Sequence, residues 1–256
     1  MSNPILSPQV PVLNANIRPS DREKILSCLK EIGSRRFWIA WERSTLFLAD
    51  RREALNCLRE NVKYFQNAGL EVGVWIQAYG FGDPLSYEEC SWTRLRSVTG
   101  KEKEADAFCP EDPDFTAAYR SWVSDVARIS PDLIMLDDDL CLSVRPGIGC
   151  FCHRHLRLME ETLGEKIELS RCAELIFTGG KNRYRDAWFQ VMGDSNRRFC
   201  RGVREAVDAV DPSIRVGFCA GYTSWDVEGC DPLELSRLDF WRIRSLRSVF
   251  ARGNDC

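Results

Sequence analysis

The chain has 256 residues, 44% hydrophobic and 29% charged, with a formal net charge of −3 and 12 cysteines. That length and balance suit a globular protein with a sizeable core, while weak acidity and the lack of a long Lys/Arg run exclude a protein built to track phosphates, so no nucleic-acid partner is expected. No run of about 18 apolar residues and no basic-then-apolar leader marks a membrane or export segment; a soluble, cytoplasmic protein with no membrane partner is expected, its cysteines standing mostly singly in apolar segments as reduced core thiols.

Strands and helices alternate along the chain. Residues 10–17 read as a first strand, and Ser20-Asp-Arg-Glu23 has the spelling of a capping box that opens a helix ending at Gly33. Residues 36–41 are the second strand. The helix after it, about 51–66, sets Leu55, Leu58, Val62 and Phe65 at helical spacing, an apolar face to lay on a sheet. Residues 70–77 form the third strand, followed by a Gly- and Pro-containing loop and a polar segment reaching Cys109. A helix over 114–129, stopped by Pro131, leads to a fourth strand over 132–136. Residues 150–164 and 186–210 read as helices, the charged stretch between them being loop or extra helix, and 214–220 is the fifth strand.

Such a series closes either as an eight-stranded barrel or as an open doubly wound sheet. The glycine-rich phosphate turn that a nucleotide-binding open sheet carries after its first strand is missing. The expected fold is therefore α/β, of the (β/α)8 TIM-barrel type, incomplete, with about the first five β/α units in residues 1–237. Residues 238–256, with closely spaced arginines, are expected to hold no sixth strand and to be a truncated or frame-shifted end.

Asp137-Asp138-Asp139 follows the apolar run Leu133–Leu136 directly, where a parallel strand leaves the core and barrels mount catalytic groups. Adjacent carboxylates repel, so one is expected to hold its proton and to be able to act as a general acid. Strand alternation sends Asp137 and Asp139 to one side and Asp138 to the other. A solvated strand cap and a Mg²⁺ or Ca²⁺ site are the alternatives.

Gly149-Cys150-Phe-Cys152-His153-Arg-His155 gathers both histidines of the chain and two cysteines. Thiolates and imidazoles so close together are zinc ligands by preference; a structural site needs four, and Cys109 lies one strand-helix unit earlier. The alternative is two buried thiols and two surface histidines at a helix start. Aromatic residues, which stack on sugar faces, crowd the ends of strands two and three as Trp38, Trp41, Trp75, Tyr79, Phe81 and Trp92, most of them core. Trp41 with Glu42 and Arg43, and Gln77 with Tyr79, lie at or past strand ends and are the candidate substrate contacts. Tyr222 and Trp225 have the same claim at the fifth strand end, beside the acidic loop residues Asp226 and Glu228.

From Cys109-Pro-Glu-Asp-Pro through Asp139 to Cys150-Phe-Cys-His-Arg-His155 the chain resembles the β-galactosidases of glycoside hydrolase family forty-two and their relatives. In that family a Cys precedes the fourth-strand helix, the strand ends in Asp-Asn-Glu, and Cys-x-Cys-x-x-Cys follows. The resemblance implies that Asp137 takes the Asp, Asp138 the sugar-contacting Asn and Asp139 the acid/base Glu. It implies Cys109, Cys150, Cys152 and His155 as ligands of a structural Zn²⁺. Two departures stand out: Asp138-Asp139 replaces Asn-Glu, and the family's seventh-strand nucleophile has no counterpart here. The function so implied is a retaining glycoside hydrolase acting on O-glycosidic bonds, or a fragment of one, with a carbohydrate substrate. The alternative is a non-catalytic carbohydrate-binding or scaffold protein that keeps the zinc. Homo-oligomerisation is left open.

Overall fold

The computed structural model describes residues 9–80, 90–98, 107–142, 148–220 and 240–244. Six strands, β1 (Gln9–Leu13), β2 (Arg36–Ala40), β3 (Glu71–Ile76), β4 (Leu133–Leu136), β5 (Arg215–Ala220) and β6 (Phe240–Arg244), pair in that sequential order, all parallel. A doubly wound sheet reverses its strand order partway, and this one does not. Sequential parallel order with helices between the first five strands is the wall of a (β/α) barrel, seen here over part of its circumference. The tail departs from expectation: Phe240–Arg244 is a sixth strand, in register with β5 from Val216 to Ala220.

Period-two alternation sorts the strand residues. Phe37, Ile39, Val72, Val74, Ile76, Ile134, Leu136, Val216 and Phe218 join one large core with the helices, whereas Trp38, Leu133, Met135 and Cys219 form a second cluster with Trp75 against it. The two sets are the two faces of the barrel wall. The inner set is bulky, and Gly73 makes room for it: a Cβ there would stand 2.1 Å from the Trp38 ring. At the first residues of the strands, Glu71 accepts from both Arg36 and Arg215, and Arg36 also lies over the Trp38 ring.

The helices supply the other side of the large core. In α1 (Arg22–Glu31) Leu26 and Leu29 are buried, and in α2 (Arg52–Asn67) Leu58, Val62 and Phe65 are, with Phe65 against Phe37 at 4.5 Å. Helix α3 (Pro113–Ala127) opens on Asp112, whose side chain accepts from the N–H groups of Asp114 and Phe115. Helices α4 (His153–Leu163) and α5 (Leu169–Phe177) pack, like α3, on the long α6 (Arg183–Asp208). The charged stretch after α4 therefore contains an extra helix, one of the two readings left open; it is amphipathic, with Cys172 and Ile176 inward.

Two local expectations fail for physical reasons. Pro19 starts a 3-10 turn, Pro19–Asp21, so the N-cap of α1 is Asp21, no side-chain cap bond forms, and the Ser20–Glu23 capping box is not made. The first strand stops at Leu13 because Asn14–Asn16 coils into a 3-10 turn, with the buried Asn14 side chain accepting from Asn61 at 2.8 Å. Among the described residues every cysteine is a free thiol. No helix there is long and apolar enough to cross a membrane.

Candidate functional site

The C-terminal ends of β1 to β4 frame a groove of about 330 Å³ lined by Leu13, Ala40, Trp41, Glu42, Arg43, Ser44, Trp75, Gln77 and Asp137. This is the barrel face on which catalytic residues are mounted. Trp75, Gln77 and Asp137 arrive there because they continue the inward register of β3 and β4, and Trp41 because its N–H bonds Trp75 O at 2.8 Å as β2 ends. Glu42 is fixed at the rim, its Oε1 accepting from Ala15 N–H at 2.6 Å.

One indole N–H of the groove lacks a hydrogen-bond partner although the atom is buried. It belongs to Trp41, which is 3% exposed. An orphaned buried donor costs about 1–3 kcal/mol. The same is true of Trp188, but that ring sits in an aromatic stack with Phe151, Phe177 and Phe189.

The three aspartates part company. Burial, then the charges of Asp139 and Asp138, push the Asp137 carboxyl up to about 8, against the Asp138 N–H at 2.7 Å and the Trp75 indole. Asp139 turns away from the groove: it is 2% exposed, and its Oδ1 and Oδ2 accept from Ala78 N–H at 2.7 Å and Gly80 N–H at 2.6 Å. Burial raises its pKa to about 6, held back by those N–H groups and by Arg43. Alternation fails after Asp137 because a turn intervenes, with Leu140 N–H bonding Asp137 O at 3.1 Å. Asp138 is half-buried and does not line the groove.

Arg43 completes this clamp. Its guanidinium donates to Tyr79 O, lies 5.3 Å from the Phe108 ring centre, and occupies the space of a Cβ on Gly80, whose φ of +106° is itself a glycine conformation. Trp41, Glu42, Gln77 and Arg43 thus meet in the groove. Tyr79 does not reach it: the side chain is fully buried and its hydroxyl donates to Asn196 on α6. Trp92 packs on Phe47, Phe108 and Phe115. Trp75, expected to be core, lines the groove, and inward alternation two residues before Gln77 was the signal for it. Phe81, Tyr222, Trp225, Asp226 and Glu228 lie outside the described residues.

Cys109, Cys150, Cys152 and His155 are brought together. Their donor atoms all lie within 4.8 Å of one another and all four residues are buried. The chain builds the cluster from three pieces. Cys109 ends the segment beside residues 93–97, Cys150 sits next to the Ser97–Gly149 bridge, and Cys152 caps α4 so that His155 falls three residues on, on the same face. Cys109 Sγ is 3.5 Å from Cys152 Sγ and 3.3 Å from His155 Nδ1, and Cys152 Sγ is 3.4 Å from the same nitrogen. A tetrahedral zinc site with bonds of about 2.3 Å to sulfur and 2.0–2.1 Å to nitrogen has edges of about 3.6–3.8 Å, close to these.

The charge balance also fits a cation. Burial pushes the Cys109 thiol well up, while hydrogen bonds from Cys109 and Cys150 hold Cys152 far down. Burial by itself lowers His155, but the neighbouring Cys150 and Cys152 override it and raise the imidazole to about 10. The cluster can hold a metal ion.

No protein-family model matches the chain, and comparison with curated proteins finds no match. Among solved structures it is similar to the β-galactosidase of Rahnella sp. R3 (TM-score 0.67, 11% identity, covering 93% of this chain and 38% of that one). It is also similar to the β-galactosidase of the Antarctic haloarchaeon Halorubrum lacusprofundi (0.64, 11%, 91% and 38%) and to the β-amylase catalytic domain of Paenibacillus polymyxa (0.62, 13%, 92% and 76%). The chain thus spans about two fifths of the length of these β-galactosidases. At such identities the likeness is one of fold, that of barrel glycoside hydrolases.

Proposed function

We propose that the strand-end groove is a sugar site and that the chain acts on O-glycosidic bonds, with Asp137 rather than Asp139 as the carboxyl beside the reacting oxygen. The observation that carries this is a buried, unpartnered Trp41 N–H lining the same groove as Asp137. A hydroxyl-rich ligand supplies the missing acceptor, and the half-buried Trp75 ring offers an apolar face to a pyranose. Glu42 and Gln77 provide further polar contacts.

Asp137 holds its proton near neutrality and can deliver it to a leaving oxygen. Asp139, with both oxygens already accepting backbone N–H groups, is the positioning carboxylate that holds the 78–80 turn. This moves to Asp137 the acid role that the family resemblance implies for Asp139. Kinship with family forty-two, and a retaining course, require a nucleophilic carboxylate about 5–5.5 Å from the donor. The Cys/His cluster is read as a structural Zn²⁺ site: four protein ligands leave no open position, so the metal ties residues 93–98, 107–109 and 148–152 together and does no chemistry.

The second reading is a sugar binder without turnover; it is favoured by the fixing of Glu42 on Ala15 N–H, which makes that carboxylate an acceptor held in place. A panel of nitrophenyl glycosides separates the two. Hydrolysis of at least one, lost in Asp137→Asn and with saturable binding retained, is expected for the enzyme. Binding without hydrolysis supports the binder, and full activity in Asp137→Asn overturns the assignment of Asp137.

A further inference from the structure

The Cys/His cluster continues outward through groups that no ligand count includes. His155 Nε2 is 3.0 Å from Ser195 Oγ, Ser195 Oγ is 2.5 Å from Glu111 Oε1, and Glu111 is paired with Arg198. Ser195 and His155 are fully buried, whereas Arg198 is half exposed. The chain therefore runs from the cluster to the surface. It joins α6, which carries Ser195 and Arg198, to the segment just after Cys109 and to the first turn of α4.

The directions of these hydrogen bonds are fixed by counting protons. Arg198 has only donors, so Glu111 is held as an acceptor. Ser195 owns a single hydroxyl proton, and Glu111 takes it. Ser195 Oγ is then left as an acceptor toward His155, so Nε2 must carry the imidazole hydrogen. In the neutral ring the lone pair is therefore on Nδ1, the nitrogen that lies 3.3 and 3.4 Å from the Cys109 and Cys152 sulfurs.

We propose that Ser195 and Glu111, backed by Arg198, are positioning residues of the metal centre: they select the His155 tautomer and hold the ring so that Nδ1 faces the three thiols. This rests on the metal reading above. An imidazole needs such orientation and a thiolate does not, so the device is specific to a centre whose fourth ligand is His155.

That difference supplies the test. Zinc affinity of the full-length protein is measured by competition with a chromophoric chelator for wild type, Ser195→Ala and Glu111→Gln. Each substitution is then repeated in a His155→Cys background. A loss of about 10–100-fold is expected for either substitution with His155 present. No more than about a twofold loss is expected for either with Cys at 155. The visible bands of the Co²⁺-loaded protein are expected to shift in Ser195→Ala and not in the pair of double variants. Unchanged affinity in Ser195→Ala and Glu111→Gln, or an equal loss in both backgrounds, overturns the positioning role while leaving the metal site standing. Failure of the wild type to bind zinc overturns both. Should Ser195→Ala not fold, Glu111→Gln, which keeps the side-chain shape near the surface, decides the matter.

Discussion

The metal centre and the groove treat their polar atoms in opposite ways, although both draw on the chain that follows β3 and β4. Around His155, ring nitrogen, hydroxyl, carboxylate and guanidinium form one continuous hydrogen-bonded series. In the groove, the Trp41 indole N–H lacks a hydrogen-bonded partner and Asp137 keeps a proton that its neighbours push onto it. A region that has met its own bonding needs can hold a fold together and offers little to a ligand. A region that has left them unmet loses some stability and gains a capacity to bind.

The sharpest way to break this comparison is to disable the centre. Cys109→Ser, or chelation, removes a site whose binding energy is on the order of 10 kcal/mol in structural zinc sites. Hydrogen exchange is expected to show loss of protection at Leu95, Val98 and Phe151, whose amides bond across the segments the cluster ties, with Ile39, Val74 and Ile134 in the sheet retained. Equal loss in both places would mean that the centre holds the whole barrel.

Next comes the clamp. Asp139→Asn leaves an amide hydrogen facing one of the two backbone N–H groups, a buried mismatch expected to cost about 1–3 kcal/mol by urea unfolding. Weakened sugar binding is expected with it, because the 78–80 turn follows Gln77. Asp137 produces a smaller and pH-dependent effect. A carboxyl whose folded value is raised to about 8 contributes stability that is present below its ordinary 3.8 and is lost as the pH rises through 8. The free energy of unfolding is therefore expected to fall between pH 4 and pH 8, followed as a falling melting temperature. Asp137→Asn is expected to flatten that slope; an unchanged slope would place the titrating group elsewhere.

The barrel was legible in the sequence because its alternation of short apolar runs and amphipathic helices is a backbone-scale pattern. β6 was not: Phe240–Arg244 lies among closely spaced arginines that read as a truncated or frame-shifted end, and its assignment depends on pairing with β5. The four metal-binding candidates were legible because their chemistry is rare and clustered. Ser195, Glu111 and Arg198 were not, since common polar residues take on a role only when α6 is laid against Cys109 and α4. The aspartate run shows the limit of periodicity. Alternation correctly sends Asp137 inward, and the turn closed by Leu140 N–H then ends the rule before Asp139.

The groove itself is tested most directly by Trp41→Phe, which keeps an aromatic side chain and removes the indole N–H. Calorimetric titration of the full-length protein with a panel of monosaccharides and nitrophenyl glycosides is expected to give saturable binding for the wild type. In Trp41→Phe the affinity is expected to fall by about 1 kcal/mol. Absence of binding to every sugar, or equal affinity in the variant, would contradict a sugar site at the ends of β1 to β4.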